Sequence, residues 1–332
     1  MQPISIASNV SVVARSPGLR PDEVEVAVTL PTYKRPEQVL ATLQSVIGQR
    51  TSRPFAIIVM ENDAEWHAGA DAVAPLFENG TASGLLLIAH DRGNCCAYNA
   101  GWTAALAEFP NLRYVQVIDD DEIAGPDWLE TMCGTAEQLG ADIVGGPQIP
   151  VFHEPGHERW ADHPVFAPRY SETGLVPALY SSGNLLVARR VLDAMPRPFL
   201  DLAFNFTGGG DSDFLSRAAA RGFTLGWCAQ APVMETVPAR RLEPDWIRSR
   251  SLREGVLSTW VEKRKRGGSP AARLRVAGKS LALLAASPVR GAIRFARTGS
   301  LSIGLYPFYV ALGRVLAEFG YANEQYRQAE KN

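Results

Sequence analysis

The sequence predicts an α/β fold built on a doubly wound, mostly parallel sheet. Through the first 150 residues, short apolar runs alternate with amphipathic helical segments, and the runs are continuously apolar. Continuous apolar runs are typical of parallel strands buried on both faces, and strand–helix alternation implies right-handed crossovers. After residue 150 the rhythm gives way to a loop rich in Pro, His and Trp, and the chain ends in a helical region.

Each element has its own signal. A β-branched run at residues 24–30 predicts the first strand, and a helix with apolar residues at helical spacing follows between Pro36 and Gly48. Further predicted strands lie at residues 55–61, 84–90, 113–119 and 141–146, with helices at 67–78, 93–109 and 125–140. Beyond the loop, we expect a strand running into a helix at 181–195, a helix after a glycine-rich turn at 208–222, and a closing strand at 223–237.

Charge is divided unevenly along the chain. The 332 residues carry a net charge of −2, yet residues 246–300 hold 13 Lys and Arg and two acidic residues. The rest of the chain has 20 basic and 33 acidic residues. This asymmetry indicates that the C-terminal quarter meets an anionic partner, such as a phosphate-bearing ligand or a lipid surface.

Four cysteines show neither a CxxC pair nor metal-ligand spacing, and two of them are adjacent. The N-terminus lacks the cationic start and apolar core of a signal peptide. We therefore expect reduced thiols and a cytoplasmic protein.

An acidic run, residues 119–122, lies at the end of the fourth predicted strand of the alternating region. Open α/β sheets bind ligands outside the carboxyl ends of their strands. Adjacent carboxylates become tolerable there when Mg²⁺ or Mn²⁺ neutralises them. The alternative is a solvated acidic turn or helix start, where the helix dipole favours acids.

A second signal is the glycine-rich turn at residues 208–210, which precedes Asp211 and a predicted helix. Glycines allow the backbone to approach a ligand closely. Asp211 is a candidate functional carboxylate, with Asp213 as its rival. The alternative is that Asp211 is simply a helix N-cap.

Five segments together resemble the family 2 glycosyltransferases of the GT-A fold, over roughly residues 24 to 235. They contain the motifs LPTYKRP (30–36), ENDAE (61–65), DRGNCCAYNAG (91–101), VIDDDE (117–122) and GGGDSDF (208–214). Each motif is weak alone, but their order is that of the family.

The resemblance implies a nucleotide site and a metal site. The implied nucleotide-binding residues are Pro31, Thr32, Tyr33, Arg35, Glu61, Asp63, Arg92, Gly93, Asn99, Asp119 and Asp120. Asp119 and Asp121 are the implied ligands of Mg²⁺ or Mn²⁺. Two positions depart from the family pattern, because Glu61 replaces an aspartate and Tyr98 replaces a common arginine.

The resemblance also implies that Asp211 is the catalytic base, although Gly210 stands where family members often have a glutamate. Arg250 and Arg253 would contact the diphosphate; a basic surface helix is the alternative. The implied acceptor and sugar residues are Asn184, Trp160, Gly209 and Gly210. Among the loop histidines His153, His157 and His163, one is a candidate third metal ligand or sugar platform.

These assignments predict an inverting, metal-dependent glycosyltransferase. It would move a sugar from a UDP-, GDP- or dTDP-sugar to a hydroxyl of a glycan or lipid-linked acceptor, in polysaccharide biosynthesis. One alternative is a nucleotidyltransferase, which would want a glycine-rich loop after the first strand, and LPTYKRP has no glycine. The other is a non-catalytic protein that binds sugar nucleotides on the same fold.

The predicted domains are an N-terminal arm (1–23), a GT-A catalytic domain (24–240) and a basic, amphipathic helical C-terminal region (241–332). The catalytic domain divides into a nucleotide-binding half (24–150) and an acceptor half (151–240). The C-terminal region suits peripheral contact with an anionic membrane, at the inner face of the plasma membrane. The alternatives are packing on the catalytic domain or a homodimer contact. We expect no nucleic-acid partner.

Overall fold

The computed structural model describes residues 9–267 and 269–321. Residues 1–8 of the predicted arm and 322–332 of the predicted C-terminal region lie outside the described residues. Within the described chain there are two compact units, one of residues 9–148 and 169–235 and one of residues 149–168 and 236–321. The domain boundaries predicted from the sequence remain predictions.

The described strands are β1 (Val10–Arg15), β2 (Val26–Thr32), β3 (Phe55–Glu61), β4 (Gly84–Ala89), β5 (Tyr114–Val117), β6 (Glu122–Ala124), β7 (Ile143–Gly145), β8 (Gln148–Phe152), β9 (Gly174–Leu175), β10 (Leu185–Ala188), β11 (Leu225–Trp227) and β12 (Val233–Val237). The α-helices are α1 (Pro36–Ile47), α2 (Ala68–Glu78), α3 (Asn94–Glu108), α4 (Trp128–Leu139), α5 (Arg189–Ala194), α6 (Gly210–Ala220), α7 (Pro244–Arg266), α8 (Pro270–Thr298) and α9 (Leu301–Glu318).

The first unit is organised around a nine-stranded sheet with the order β1-β4-β3-β2-β5-β10-β7-β11-β9. Strands β4, β3, β2 and β5 are parallel neighbours, as are β7 and β11, whereas β1, β10 and β9 pair antiparallel with theirs. Six strands therefore share one direction, and the predicted α/β class with a mostly parallel sheet is confirmed.

Side-chain alternation along β2 and β3 sends residues to two different cores. On one face, Val28 and Val59 join a cluster with residues of α1, α2 and α4. On the other face, Met60 lies so close to Gly101 of α3 that a Cβ there would be 2.5 Å from its sulfur. Helices thus cover both faces, which explains why all seven residues of β2 are buried.

Two expectations about local structure are wrong. Residues 10–15 of the predicted N-terminal arm, where no strand is predicted, form β1, because their backbone pairs antiparallel with β4 at the sheet edge. The single closing strand predicted at 223–237 is two strands in different sheets. Pro232, which cannot donate a ladder hydrogen bond, lies between them, and β12 pairs with β6 instead.

The second unit contains the C-terminal helices, and α9 packs against both α7 and α8. Gly255 of α7 and Gly313 of α9 permit this packing, since a Cβ at either position would lie 2.0 Å from a carbonyl oxygen of the facing helix. Among the described residues, none of the helices has the length and hydropathy needed to cross a membrane.

Candidate active site

The acidic run occupies the turn between β5 and β6, at the carboxyl end of β5. The Thr42 hydroxyl on α1 fixes this turn, donating to the carbonyl of Glu122 at 2.7 Å and lying 3.0 Å from that of Asp120. The turn is therefore held by its backbone, and its carboxylates project from a defined position at the sheet edge.

The negative charge of Asp120 is offset by hydrogen-bond donors in direct contact with its carboxylate. Its carboxylate accepts from the Thr32 hydroxyl at 2.8 Å and from Arg35 at 2.8 Å, and Arg35 also donates to Asp121 at 3.0 Å. Burial raises the pKa of Asp120, and the Arg35 charge opposes that shift. The predicted residues Thr32, Arg35, Asp120 and Asp121 are thus brought together.

Asp119 and Glu122 form a second, more strongly negative pair. Burial raises the pKa of Asp119, and the Asp121 charge raises it further. Burial also holds the pKa of Glu122 well above its ordinary value, with the charges of Asp119 and Glu235 adding to the effect. Glu122 accepts from the backbone N–H of Asp119 at 2.9 Å and from Gln148 at 2.5 Å.

Tyr98 connects this pair to the rest of the site. It is buried, its hydroxyl donates to Asp119 at 2.5 Å, and it accepts from Ser182 at 3.1 Å. Burial, followed by the charge of Asp119, raises the pKa of Tyr98 well above its ordinary value. The charge of Asp211 acts in the same direction.

The two candidate bases have different surroundings. Asp213 is buried and pairs with Arg217 at 2.7 Å, so its charge is compensated within α6. Asp211 is half-buried in the first turn of α6, and one of its oxygens accepts from the backbone of Ser212 at 2.7 Å. Asp211 is the more exposed of the two carboxylates.

At the carboxyl end of β3, Glu61 and Asp63 have different environments. Glu61 is buried, and its two oxygens accept from the backbone N–H groups of Asp63 at 2.9 Å and Ala70 at 3.0 Å. Asp63 Oδ2 is buried without a hydrogen-bond partner among the described residues, and the Lys34 ammonium is 3.8 Å away. Glu61 thus holds the loop through backbone hydrogen bonds, and Asp63 Oδ2 is an acceptor that a ligand could use.

The neighbouring loop is built by two asparagines that the sequence analysis did not select. Asn62 donates to the carbonyls of Ala89 and Asp91 at 3.0 and 2.8 Å, and its oxygen accepts from the backbone of Gly93 at 2.6 Å. Asn205 donates to the carbonyl of Arg92 at 2.8 Å. Gly93 has φ 128°, and a Cβ there would lie 2.1 Å from the Asn205 side chain, so glycine is required.

Several other predicted site residues make packing contacts. Arg92 lies over the Tyr33 ring at 5.0 Å, and Asn99 exchanges hydrogen bonds with the backbone of Leu200. Asn184 is buried and bonds the Trp128 indole and the carbonyls of Pro147 and Ala231.

The glycine-rich turn at the start of α6 also has a structural reason. Gly208 and Gly209 have φ 74° and 90°, in the left-handed region that favours glycine. A Cβ on Gly210 would lie 2.7 Å from Cys95 Sγ. Pro31 is buried within β2.

The remaining predicted residues belong to the second unit. Arg250 and Arg253 lie on α7; Arg253 is buried, and Arg250 is 3.8 Å from Glu254. Trp160 packs against His163 at 5.8 Å between ring centroids. Burial lowers the pKa of His163 to about 4, which keeps its imidazole neutral at physiological pH.

The acidic loop suits a hard divalent cation by its donor chemistry. Its side chains offer carboxylate oxygens with more negative charge than Arg35 neutralises, and Mg²⁺ usually takes one or two carboxylates together with water and phosphate oxygens. Within residues 9–267 and 269–321, no group of three or more His, Cys, Asp or Glu is arranged around a metal position. A divalent cation held by one or two of these carboxylates would need further ligands, such as water or phosphate oxygens.

Sequence reasoning missed Glu122, Gln148 and Glu235 as members of this cluster. Glu122 could have been selected from the sequence, because it is the last residue of the acidic run. Glu235 could not, because it joins the cluster only through the pairing of β12 with β6, where it is opposite Glu122.

Comparison with known proteins places this geometry in a family. The model of "Glycosyl transferase family 2" matches residues 27–194, which include β2 from its second residue onward and the acidic loop. The succinoglycan biosynthesis protein ExoM of Rhizobium meliloti (strain 1021) is 27% identical over 251 residues, covering 70% of this chain and 74% of ExoM.

Solved structures of S. aureus TarS are also similar. TarS 1–349 in complex with UDP has a TM-score of 0.49 and 13% identity, over 93% of this chain and 98% of that one. The longer TarS structure has a TM-score of 0.48 and 12% identity, and this chain covers 90% of its own length but 55% of TarS. Because the family model covers more than half of the sequence, the chain belongs to glycosyl transferase family 2 and is a glycosyltransferase.

Proposed function

We propose that this glycosyltransferase transfers a sugar from a nucleoside diphosphate sugar to an acceptor hydroxyl, with inversion and with Mg²⁺ or Mn²⁺ held by the acidic loop. The observation that carries the proposal is the concentration of negative charge around Asp119, to which Asp121, Asp120 and Glu235 contribute. Such a cluster is costly in the absence of a cation. Family membership excludes the nucleotidyltransferase alternative.

Asp119 and Asp121 would hold the metal, and Glu122 would fix Asp119 by accepting from its backbone N–H. When bound, a divalent cation acts as a Lewis acid that offsets the charge developing on the leaving diphosphate. Arg35 keeps Asp120 and Asp121 in place through its two hydrogen bonds. Arg250 and Arg253 are proposed as further diphosphate contacts.

Asp63 supports a nucleotide base on the other side of the site. Its buried, unsatisfied Oδ2 would be satisfied by a base N–H, which uracil, thymine and guanine all present. The Tyr33 ring, backed by Arg92, offers an adjacent surface for stacking. The donor is accordingly proposed to be a UDP-, GDP- or dTDP-sugar.

Asp211 is proposed as the base. It takes the proton of the acceptor hydroxyl as the acceptor oxygen bonds to the anomeric carbon. The bond from that carbon to the diphosphate oxygen breaks at the same time, and the nucleoside diphosphate leaves with the bonding pair. A single direct displacement inverts the anomeric configuration. Asp213 is the weaker candidate because its carboxylate is buried.

The acceptor is proposed to be a glycan or a lipid-linked glycan. ExoM, by its name, acts in succinoglycan biosynthesis, which favours a role in building polysaccharide. Contacts from Asn184, Trp160, Gly209 and Gly210 to acceptor or sugar are part of the same proposal. We further propose peripheral association with an anionic membrane, where lipid-linked acceptors would be displayed.

The decisive experiment measures hydrolysis and transfer from UDP-, GDP- and dTDP-sugars with Mn²⁺, for the wild type and Asp211→Asn. We expect Asp211→Asn to lower kcat by about 10²–10⁴-fold while the thermal shift caused by nucleoside diphosphate is retained. EDTA should abolish turnover in the wild type. The matched control is Asp22→Asn, which changes an exposed aspartate outside the site and should leave turnover unchanged.

Two outcomes would contradict the proposal. Full turnover by Asp211→Asn would remove the assigned base, and full turnover in EDTA would remove the metal. Nucleotide binding without turnover of any of the three donors would favour the non-catalytic alternative.

A further inference from the structure

Helix α8 carries a continuous row of exposed, uncharged side chains. The row, which we name the α8 apolar row, consists of Leu274, Gly278, Leu281, Ala285, Val289, Ala292 and Ala296. Its members recur every three or four residues, the spacing of one helix face. The three largest are 75%, 59% and 65% exposed, for Leu274, Leu281 and Val289 respectively.

The opposite face of α8 is buried in the second unit. Its buried residues are Val276, Ser280, Ser287 and Gly291, about half a turn from the apolar row. Gly291 lies so close to α9 that a Cβ there would be 2.5 Å from the carbonyl oxygen of Gly304. The face that packs against protein is thus built from small residues, and the larger aliphatic side chains of the row are left in water.

The charges of α8 are all of one sign. Residues 270–298 contain six cations (Arg273, Arg275, Lys279, Arg290, Arg294 and Arg297) and no acidic residue. Helical periodicity puts Arg275, Lys279, Arg290 and Arg297 together along one flank of the apolar row. Lys279 pairs with Glu262 at 2.9 Å, whereas Arg275, Arg290 and Arg297 are exposed and form no ion pair with any described residue.

This combination identifies the chemistry of a partner. An exposed aliphatic row about 33 Å long, from residue 274 to 296, is unfavourable in water and is typical of an interaction surface. A flank of cations without acids favours an anionic partner. An anionic bilayer interface matches both features, because acyl chains would contact the apolar row and anionic headgroups would contact the flanking arginines.

We propose that the α8 apolar row lies in the interface of an anionic membrane, with the helix axis parallel to the bilayer plane. Cations flank the row towards both of its ends, Arg275 and Lys279 at one and Arg290 and Arg297 at the other, so the charged flank runs beside the row rather than at a single end, which suits a helix lying in the plane. Leu301, Leu305 and Phe308 form a shorter exposed row on α9, the helix that packs on α8. The inference extends the proposed function by identifying the membrane-facing surface, and its test measures binding to vesicles.

The test is co-sedimentation of the full chain with vesicles of phosphatidylcholine alone or with about one third phosphatidylglycerol. We expect binding to the anionic vesicles and little to the neutral ones. The triple variant Arg275→Gln/Arg290→Gln/Arg297→Gln should bind about tenfold to 100-fold more weakly. A control with the same charge change, Arg20→Gln/Arg50→Gln/Arg221→Gln, alters exposed arginines of the first unit and should bind like the wild type.

A second set of variants tests the apolar part. Leu274→Gln/Leu281→Gln/Val289→Gln should reduce vesicle binding at least about tenfold, because each change removes exposed aliphatic area that would enter the interface. The control Val13→Gln/Leu175→Gln changes exposed aliphatic residues elsewhere and should not. Hydrolysis of the donor and the melting temperature should be unchanged in all four variants, which separates this test from that of the catalytic proposal.

Equal binding by the α8 variants and their controls would overturn the proposal. So would binding to neutral vesicles as strong as to anionic ones. Analytical ultracentrifugation provides the third arm. A third contrary result is a wild type that forms a dimer, which the Leu and Val changes dissociate, and that does not bind vesicles. In that case the row is a contact between two copies of the chain and the membrane proposal is wrong.

Discussion

The Tyr98 hydroxyl donates a hydrogen bond to Asp119 Oδ1 across 2.5 Å. Tyr98 occupies a position at which the resemblance leads one to expect arginine. Its ring makes an edge contact with Trp102, at 6.0 Å between ring centroids. A neutral donor thus faces a carboxylate whose pKa is already raised by burial. The bond stabilises the ionised form of Asp119, the form that a metal requires.

Tyr98→Phe removes that bond and leaves Asp119 and Ser182 without their shared partner. We expect the free energy of unfolding to fall by about 1–3 kcal/mol and the Mn²⁺ concentration for half-maximal activity to rise. Denaturant unfolding and metal titration of donor hydrolysis measure the two effects. Tyr170→Phe is the control, because Tyr170 also loses a hydrogen bond, to the carbonyl of Ala178 at 2.7 Å, away from the acidic loop. An unchanged metal requirement in Tyr98→Phe would contradict the assigned role.

Asp63→Asn tests the open acceptor of the proposed base site. The change keeps the shape of the side chain but replaces one of its two carboxylate oxygens, of which Oδ2 is buried and unsatisfied, with an NH₂ donor. We expect nucleoside diphosphate to bind roughly tenfold more weakly or worse, with no loss of stability in the ligand-free protein. Isothermal titration and thermal melting give both quantities. Asp71→Asn, an exposed change on α2, should alter neither. Wild-type nucleotide affinity in Asp63→Asn would exclude Asp63 from the base site.

Gly183→Ala tests the packing around the acidic loop. A Cβ at this position would lie 2.4 Å from Gln148 Nε2, 2.7 Å from Glu122 Oε1 and 3.0 Å from Asp119 Oδ2. Because these side chains must shift, we expect a loss of about 1–3 kcal/mol in stability and a clear loss of kcat. Gly134→Ala is the control, since that position on α4 has open space and should be neutral or slightly stabilising. Normal activity of Gly183→Ala would show that the carboxylate geometry tolerates displacement.

His163 makes the stability of the protein depend on pH. Burial lowers its pKa to about 4, although Ser302 and the charge of Glu254 oppose the shift, while that of Arg294 adds to it. Because the folded-state pKa lies below the ordinary value, the unfolded chain binds the proton first. Stability is therefore lost as pH falls from about 6.5 to about 4, by roughly 1–2 kcal/mol at pH 5.

Denaturant unfolding at pH 7 and pH 5 measures this contribution. The drop attributable to His163 should be missing in His163→Gln and present in His153→Gln, which changes an exposed histidine. If both variants lose stability equally between the two pH values, the drop comes from other groups.

Most of the fold could be predicted because its signals are local. Proline near the start of α1, helical spacing of Val39, Leu43 and Val46, and the continuous apolar run of β2 each act over a few residues. What escaped prediction depends on pairing between distant segments. The edge strand β1 is mixed in character, with three of its six residues exposed in succession, and only the partner β4 defines it.

The same division holds for the site. The acidic run and the aspartate after the glycines are visible in the sequence, and they lead to the choice of Asp119, Asp121 and Asp211, which stays a prediction. The sequence did not separate Glu61 from Asp63, because burial and backbone hydrogen bonds distinguish the two and neither is encoded in the motif.

By itself, the amino-acid order determined the layered α/β class and the family, and it indicated the carboxylates that are proposed to carry the chemistry. Tertiary structure decided the surroundings of those charges. Arg35 forms an ion pair with Asp120, and Arg217 forms one with Asp213. Asp119 lies near other carboxylates and accepts a hydrogen bond from Tyr98. The physical reason is that strand and helix propensity act between near neighbours, whereas the electrostatic state of a carboxylate depends on burial and on side chains supplied by distant strands and helices.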